Sequence, residues 1–366
     1  MTTQLAAAAQ VAPPSYDLPK SVRGGSVVIA VAALVLFPLV FTNPTLTTVG
    51  VFAMIYLMSV TGWNIFSGYS GYIALGHAVF FGIGQYATAM LASYWTIPPG
   101  WPTFALLPVA AVLAGLAAIP IGWILLRVRK HTFIVLTIAL MFIFQLFAYN
   151  LSSWTGGSQG LQMLQPTWSG DFFNLPFYYV GLVVSAIAIV TSWLVRRSKY
   201  GLGLLAIRDD EDRGRSLGIH TTRTKLIAFV ISAIFVGAAG ALYAPFVGQV
   251  FPQFAFDPSF DLALAVMAFT GGLGTVLGPS LGALVIASAQ QYFLLQFGGA
   301  NVFLIAYGLL FILILRLLPG GVVPALTTQW RRWIVRRERI RDESNLAPPA
   351  DQEEREDVIQ ELTSKP

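Results

Sequence analysis

Chemistry in this chain would have to come from a few side chains set among inert ones. His77 stands alone within residues 24–126, a run that has no Asp, Glu, Lys or Arg. Its imidazole either lines a polar pathway or is a neutral ring bonded to a nearby carbonyl, and the second reading is favoured. It is not a metal site, because no second ligand falls in register on the same helix. Asn64, Ser67, Gln85 and Gln145 join His77 as pathway candidates. They are polar groups in apolar segments, where burial without a partner costs about 1–3 kcal/mol. A second group runs Arg208, Asp209, Asp210, Glu211, Asp212 and, after more bases, Gly218. Its acids come early and its bases late, which suits a short helix and its dipole. A solvated loop would explain the charges alone. An amphipathic helix that fits a groove in another protein also explains Leu205, Ala206, Leu217 and Ile219 and the closing glycine.

Two glycine-rich blocks complete the set. Gly68, Gly71, Gly76, Gly82 and Gly84 interrupt one apolar segment, and Gly271, Gly272, Gly274, Gly278 and Pro279 follow another. In a bilayer, non-helical backbone survives only where protein or a water-filled cavity satisfies it, and glycine also lets helices pack closely. Tight packing and a pathway role are equally good readings of the first block. The second block is not a phosphate loop: no Gly-Lys-Ser/Thr follows it, nor does G-x-x-x-x-G-K-[ST] occur anywhere. The chain is therefore not expected to hydrolyse nucleotide itself. It has no His-Glu-x-x-His and no paired intramembrane carboxylates to support an intramembrane enzyme.

The elements that carry these groups read as membrane spans. The 366 residues are 56% hydrophobic and 11% charged, with mean hydropathy +0.69, whereas soluble domains are about 25% charged. An ionised group costs several kcal/mol at the centre of a span. Apolar segments fall at about 26–42, 46–66, 72–94, 103–126, 132–150, 176–195, 226–248, 259–272, 280–297 and 300–318. The expected fold is thus an all-α polytopic membrane protein of about ten transmembrane helices. The eighth segment is short and runs into glycines, so it would be broken or re-entrant. Cysteine is absent, which excludes thiol chemistry.

Basic residues orient the chain. Lys20 and Arg23, then Arg127, Arg129 and Lys130, then the cluster within 196–225, then 331–341 all fall on one side if ten spans are counted. The positive-inside rule makes that side cytoplasmic and puts both termini there. The net charge of +5 therefore reads as a topology signal and not as a nucleic-acid groove. Residues 1–25 are expected to be a disordered cytoplasmic N-terminus without the marks of a cleaved signal. Residues 26–318 form the transmembrane domain, with a cytoplasmic segment at 196–225. Residues 319–341 would lie on anionic headgroups, and 342–366 form an acidic, disordered tail. The Trp- and Gln-rich loop 151–175 is either an ordered interfacial loop or a contact for a partner outside. Five plus five spans would set the halves in opposite orientation, as in an inverted repeat.

Taken together, the blocks resemble the permease subunits of the branched-chain amino acid ABC importers. The similarity covers about 45–320 and rests on three motifs in order: Leu-Gly-His-Ala-x-Phe-Phe-Gly-Ile-Gly at 75–84, Ala-Ile-Arg through Leu-Gly-Ile at 206–219, and Gly-Gly-Leu-Gly-x-x-x-Gly-Pro at 271–279. The resemblance implies that 206–219 couples to an ATPase, with Arg208, Asp209, Asp210, Glu211, Asp212 and Gly218 at the contact. The family's Glu-Ala-Ala-x-x-x-Gly pattern keeps its acid at Asp212 and its glycine at Gly218, but both alanines are lost. The resemblance further implies a second homologous permease, two ATPase subunits that hold ATP and Mg, and an extracytoplasmic solute-binding protein, in the inner membrane of a prokaryote. No cofactor is expected on this chain. Its implied solutes are leucine, isoleucine and valine, with urea, short amides or aromatic acids as alternatives. An ion-coupled secondary transporter is the competing class, but it would normally place more charge within its spans.

Overall fold

A computed structural model of the chain describes residues 31–297, 308, 309 and 312. Contacts divide the chain into two units, Met1–Thr42 and Asn43–Pro366. In the first unit the described element is α1 (Val31–Val40), an apolar helix.

The second unit starts at Asn43, whose Oδ1 accepts the Thr45 N–H at 2.9 Å, with Pro44 at the first helical position. That cap opens α2 (Pro44–Trp63), which runs on into a π-helical turn, Asn64–Gly68. Residues 69–77 form a connector that is helical only at Tyr69 and Ser70. Then come α3 (Ala78–Tyr94), α4 (Leu106–Leu125), α5 (Lys130–Asn150) and the one-turn α6 (Ser152–Thr155). After α6, α7 (Gly170–Arg197) leads to two short helices, α8 (Lys199–Asp209) and α9 (Glu211–Ser216). The remaining elements are α10 (Thr221–Val247), the one-turn α11 (Pro252–Ala255), α12 (Pro258–Gly271) and α13 (Gly278–Phe297).

Six stretches among the described residues are long and apolar enough to cross a membrane: Pro44–Gly68, Trp101–Leu125, Lys130–Asn150, Phe172–Arg197, Thr221–Val247 and Pro252–Gly271. α1, α3 and α13 fall within the first, third and ninth expected segments. The tenth segment at 300–318 lies outside the described residues apart from three positions, as do 1–25, 319–341 and 342–366. The third segment is helical only from Ala78. Gly71 there turns the chain with φ +71°, and a Cβ at Gly76 would sit 2.3 Å from the Thr137 carbonyl oxygen.

α2 and α10 form the middle of the unit. α10 packs against α3, α4 and α2, while α2 also packs against α7 and α13. The α2 stretch is 89% buried and the α5 stretch only 22%, so α5 presents most of its apolar surface outward. α3 and α10 approach closely because each offers glycine where the other offers backbone. A Cβ at Gly84 would lie 2.0 Å from the Gly237 oxygen, and one at Gly240 the same distance from the Phe81 oxygen. The loop after α6 is pinned by a two-stranded antiparallel ladder, β1 (Leu161–Gln162) with β2 (Gln249–Val250), in which Leu161 faces Val250. Trp168 from the same loop stacks among Trp101, Phe104 and Phe177. The loop is thus held against the segment before α4 and the start of α7.

Candidate functional site

Three regions that lie far apart in the sequence, at 64–71, 208 and 274–275, meet in one junction. Arg208, on α8, donates from Nη1 to the Gly68 carbonyl at 2.8 Å. Its side chain also crosses Gly71 and Gly274, where an added Cβ would come within 2.9 Å of Cγ and 2.1 Å of Nη1 respectively. Gly274 has φ +80°, so both close approach and backbone geometry demand glycine there. Asn64 completes the link: its Nδ2 donates to the Thr275 carbonyl and its Oδ1 accepts the Gly274 N–H, each at 2.9 Å. The first glycine block, the charged segment and the second glycine block are thus one structure. Lys130 adds the preceding basic loop, donating to the Arg208 carbonyl at 2.9 Å.

The charged segment is two helices and not the single helix expected over 206–219. Asp210 leaves helical geometry at φ −156° and ψ 114°. Its Oδ1 then accepts the N–H groups of Asp212 and Arg213 at 2.9 and 3.1 Å, capping α9. A carboxylate that can satisfy orphan N–H groups competes with helix continuation, which is why the break falls there. α9 closes on Gly218 at φ +82°, with Ile219 N–H on the Gly214 carbonyl and Gly218 N–H on the Arg215 carbonyl. This is the paired hydrogen-bond pattern of a glycine-terminated helix.

The six residues singled out in this segment divide by direction. Asp209, Asp212 and Gly218 are exposed, while Arg208 and Glu211 turn inward and Asp210 is consumed as a cap. Asp212 reaches only Arg129, at 3.7 Å, and its side chain is 69% exposed. Glu211 is 15% exposed and accepts from Lys225 Nζ at 2.9 Å, from Arg215 Nη2 at 2.9 Å and from the Tyr72 hydroxyl. Burial by itself would raise the Glu211 pKa, but the bonds from Lys225 and Tyr72 outweigh it and hold the carboxyl at about 2.

Deeper in the bundle, Ser67 Oγ accepts the Ala74 N–H at 3.3 Å, steadying the connector 69–77. His77 Nε2 lies 2.7 Å from Ser232 Oγ, with the ring among Phe66, Phe80 and Phe229. The ring partner is a hydroxyl and not the carbonyl expected, because α10 offers only a side chain where its own carbonyls are used within the helix. His77 Nδ1 and Gln85 Nε2 have no partner among the described residues. Gln145 donates to the Phe256 carbonyl at 3.4 Å. Gly82 packs on Phe256, Gly271 on the Gly278 carbonyl, and Gly278 on Thr275 Oγ1. Gly272 carries φ +119°, and Pro279 follows Gly278 in the first turn of α13.

Two charged residues escaped sequence reasoning. Asp261 is fully buried and accepts the N–H groups of His77 at 2.8 Å and Ala78 at 3.2 Å. A carboxylate from α12 therefore caps α3. The signal was present in α3: its start at His77-Ala78 offers no side-chain cap of its own, so its orphan N–H groups need a distant acceptor. Lys225, one of the bases in the 196–225 cluster, is buried beside Tyr72 and Glu211. No group of three or more metal-ligating side chains occurs among the described residues.

Comparison with known proteins bears on what this junction serves. A family model described as the permease component of branched-chain amino acid transport systems matches residues 45–315. The high-affinity branched-chain amino acid transport system permease protein LivM of Escherichia coli is 29% identical, covering 87% of this chain and 80% of its own length. LivM of Salmonella typhimurium is also 29% identical, over 75% of this chain and 69% of its own. The Escherichia coli permease protein LivH of the same name is 24% identical, over 73% of this chain and 91% of its own. No solved structure matches the chain.

Proposed function

The chain belongs to the family of branched-chain amino acid transport system permease components, and from that premise we propose that it is the membrane-spanning permease subunit of an ATP-driven ABC importer. It works in the inner membrane of a prokaryote and translocates branched-chain amino acids. Its partners are a second homologous permease, two ATPase subunits that hold ATP and Mg, and an extracytoplasmic solute-binding protein. Likeness to both LivM and LivH supports a paired permease.

One observation carries the mechanism. α8 and α9 have an outward face with Asp209, Asp212 and Gly218, and an inward face whose Arg208 grips both glycine interruptions of the bundle. A segment built this way converts a push from an ATPase into movement of the membrane helices. The outward face docks, and Arg208 carries the motion to Gly68 and Gly274. The ATPase subunits supply the energy, so the interior needs no ion relay. Asp261 is committed to backbone N–H groups, and Lys225 to Glu211.

The test is reconstitution in proteoliposomes with the second permease, the ATPase subunits and the binding protein. Leucine accumulation should require Mg-ATP and the binding protein. The double substitution Asp212→Ala with Gly218→Ala should lower it at least about tenfold, because it removes an exposed contact and strains a left-handed turn. Normal uptake and normal solute-stimulated ATP hydrolysis in that double variant would refute the docking role. Uptake by the purified chain alone on an ion gradient would replace the reading with a secondary transporter. Solute profiling of the binding protein separates branched-chain amino acids from urea, short amides and aromatic acids.

A further inference from the structure

We propose that Tyr72, Glu211 and Lys225 form a positioning joint that carries movement of the docking helix α9 into the connector 69–77 and the base of α10. This rests on the importer reading above but uses residues that face away from any docking partner. The three side chains close a triangle between three separate elements. Glu211 Oε2 accepts from the Tyr72 hydroxyl, Oε1 accepts from Lys225 Nζ at 2.9 Å, and Lys225 also donates to the Tyr72 oxygen at 3.1 Å. The ammonium lies 4.2 Å from the centroid of the Tyr72 ring. Tyr72 and Lys225 are each 1% exposed. The Glu211 carboxylate also accepts from Arg215 and from Thr221.

Stability alone is a poor reason for this arrangement. A buried ion pair usually does no better than apolar side chains of similar volume, yet breaking one partner strands a charge. Such a pair resists separation more than it favours folding, which is what a link under load requires. Its placement fits that use. Glu211 is the first residue of α9 and neighbours the exposed Asp212, so a displacement at the docking face reaches Glu211 without an intervening flexible turn. Tyr72 lies in the connector whose far end, at His77, is held by Asp261. Lys225 lies in the second turn of α10, which packs along α3 and α4. Arg208 acts on the neighbouring glycines through a single hydrogen bond and steric contact, so the triangle is a second and separately testable route.

Hydrogen–deuterium exchange on the assembled complex, with and without Mg-ATP, tests the joint. In the native complex Mg-ATP should change exchange in both 199–219 and 69–77. In Glu211→Gln and Lys225→Met complexes the change in 199–219 should persist, while the change in 69–77 is lost. Leucine uptake per ATP hydrolysed should fall about 2- to 30-fold, the range for contacts along a coupling path, with ATPase subunits still co-purifying. Exchanging the charges, Glu211→Lys with Lys225→Glu, should restore part of that loss. If a single variant fails to assemble, Tyr72→Phe removes one hydrogen bond while keeping the ring and carries the same comparison. An ATP response at 69–77 that survives in the variants, or an unchanged uptake per ATP, overturns the proposal. No response at 199–219 in the native complex instead defeats the docking reading on which it rests.

Discussion

The helical bundle is interrupted at 69–77 and again at 272–277, and the Arg208 side chain reaches both, yet they are fastened by different chemistry. The loop 272–277 is held by neutral groups: the Asn64 amide on Gly274 and Thr275, and Thr275 Oγ1 on the Gly278 N–H and the Gly272 carbonyl. The connector 69–77 is held by charge at both ends, by Glu211 and Lys225 near Tyr72 and by Asp261 at His77. Neutral amide bonds of this sort each contribute about 1 kcal/mol and hold a fixed shape. Buried charge contacts break only at a large cost, so they transmit displacement between elements that must move together. On the proposed importer reading the first break is the stiffer of the two links to α8 and α9, and Arg208 reaches both breaks.

The largest expected effect comes from the charged end of the connector. Asp261→Ala leaves the His77 and Ala78 N–H groups without an acceptor and should lower folding stability by about 2–5 kcal/mol, read as a thermal shift in detergent. Asp261→Asn keeps an acceptor and should cost well under half of that. If the two variants were equally harmful, the charge and not the cap would be what matters, and the contrast between the breaks would sharpen. At the neutral break, Asn64→Ala should cost about 1–3 kcal/mol by the same measurement. Its uptake per ATP should stay near normal. A coupling loss as deep as that of Glu211→Gln would erase the distinction between the breaks.

The smallest effect is the acid titration of the joint. Glu211 is held at about 2, below its ordinary 4.5. A depressed carboxyl stabilises the fold fully above its unfolded value and loses that contribution as pH falls through the folded one. The stability difference between the native chain and Glu211→Gln should be flat above about pH 5 and shrink from pH 4.5 towards 2. The groups that face it are Lys225, Arg215, Tyr72 and Thr221. A difference that grows on acidification would reverse the sign and remove Glu211 as the anchored partner.

Most spans were legible in the sequence, because hydrophobic runs and basic clusters are local signals that need no knowledge of packing. The helix end at Gly218 was legible for the same reason. The split at Asp210 was less so, since an acid early in a helix suits the dipole as well as a new cap. The contacts of Trp168 in the 151–175 loop with Trp101, Phe104 and Phe177 were not legible, because they join segments far apart in the chain.

By itself the sequence determined that the chain lives in a bilayer, which segments are apolar, and where a charged segment with apolar ends lies. These follow from composition and spacing, since an uncompensated charge is excluded from hydrocarbon wherever the helices finally sit. Tertiary structure alone decided that Glu211 points in while adjacent Asp212 points out. It also decided that Asp261 caps a helix more than 180 positions away in the chain. Adjacent residues on a helix differ in direction by roughly 100°, so which one is buried depends on where the neighbouring helix lies. That neighbour is chosen by long-range packing, which no local pattern records.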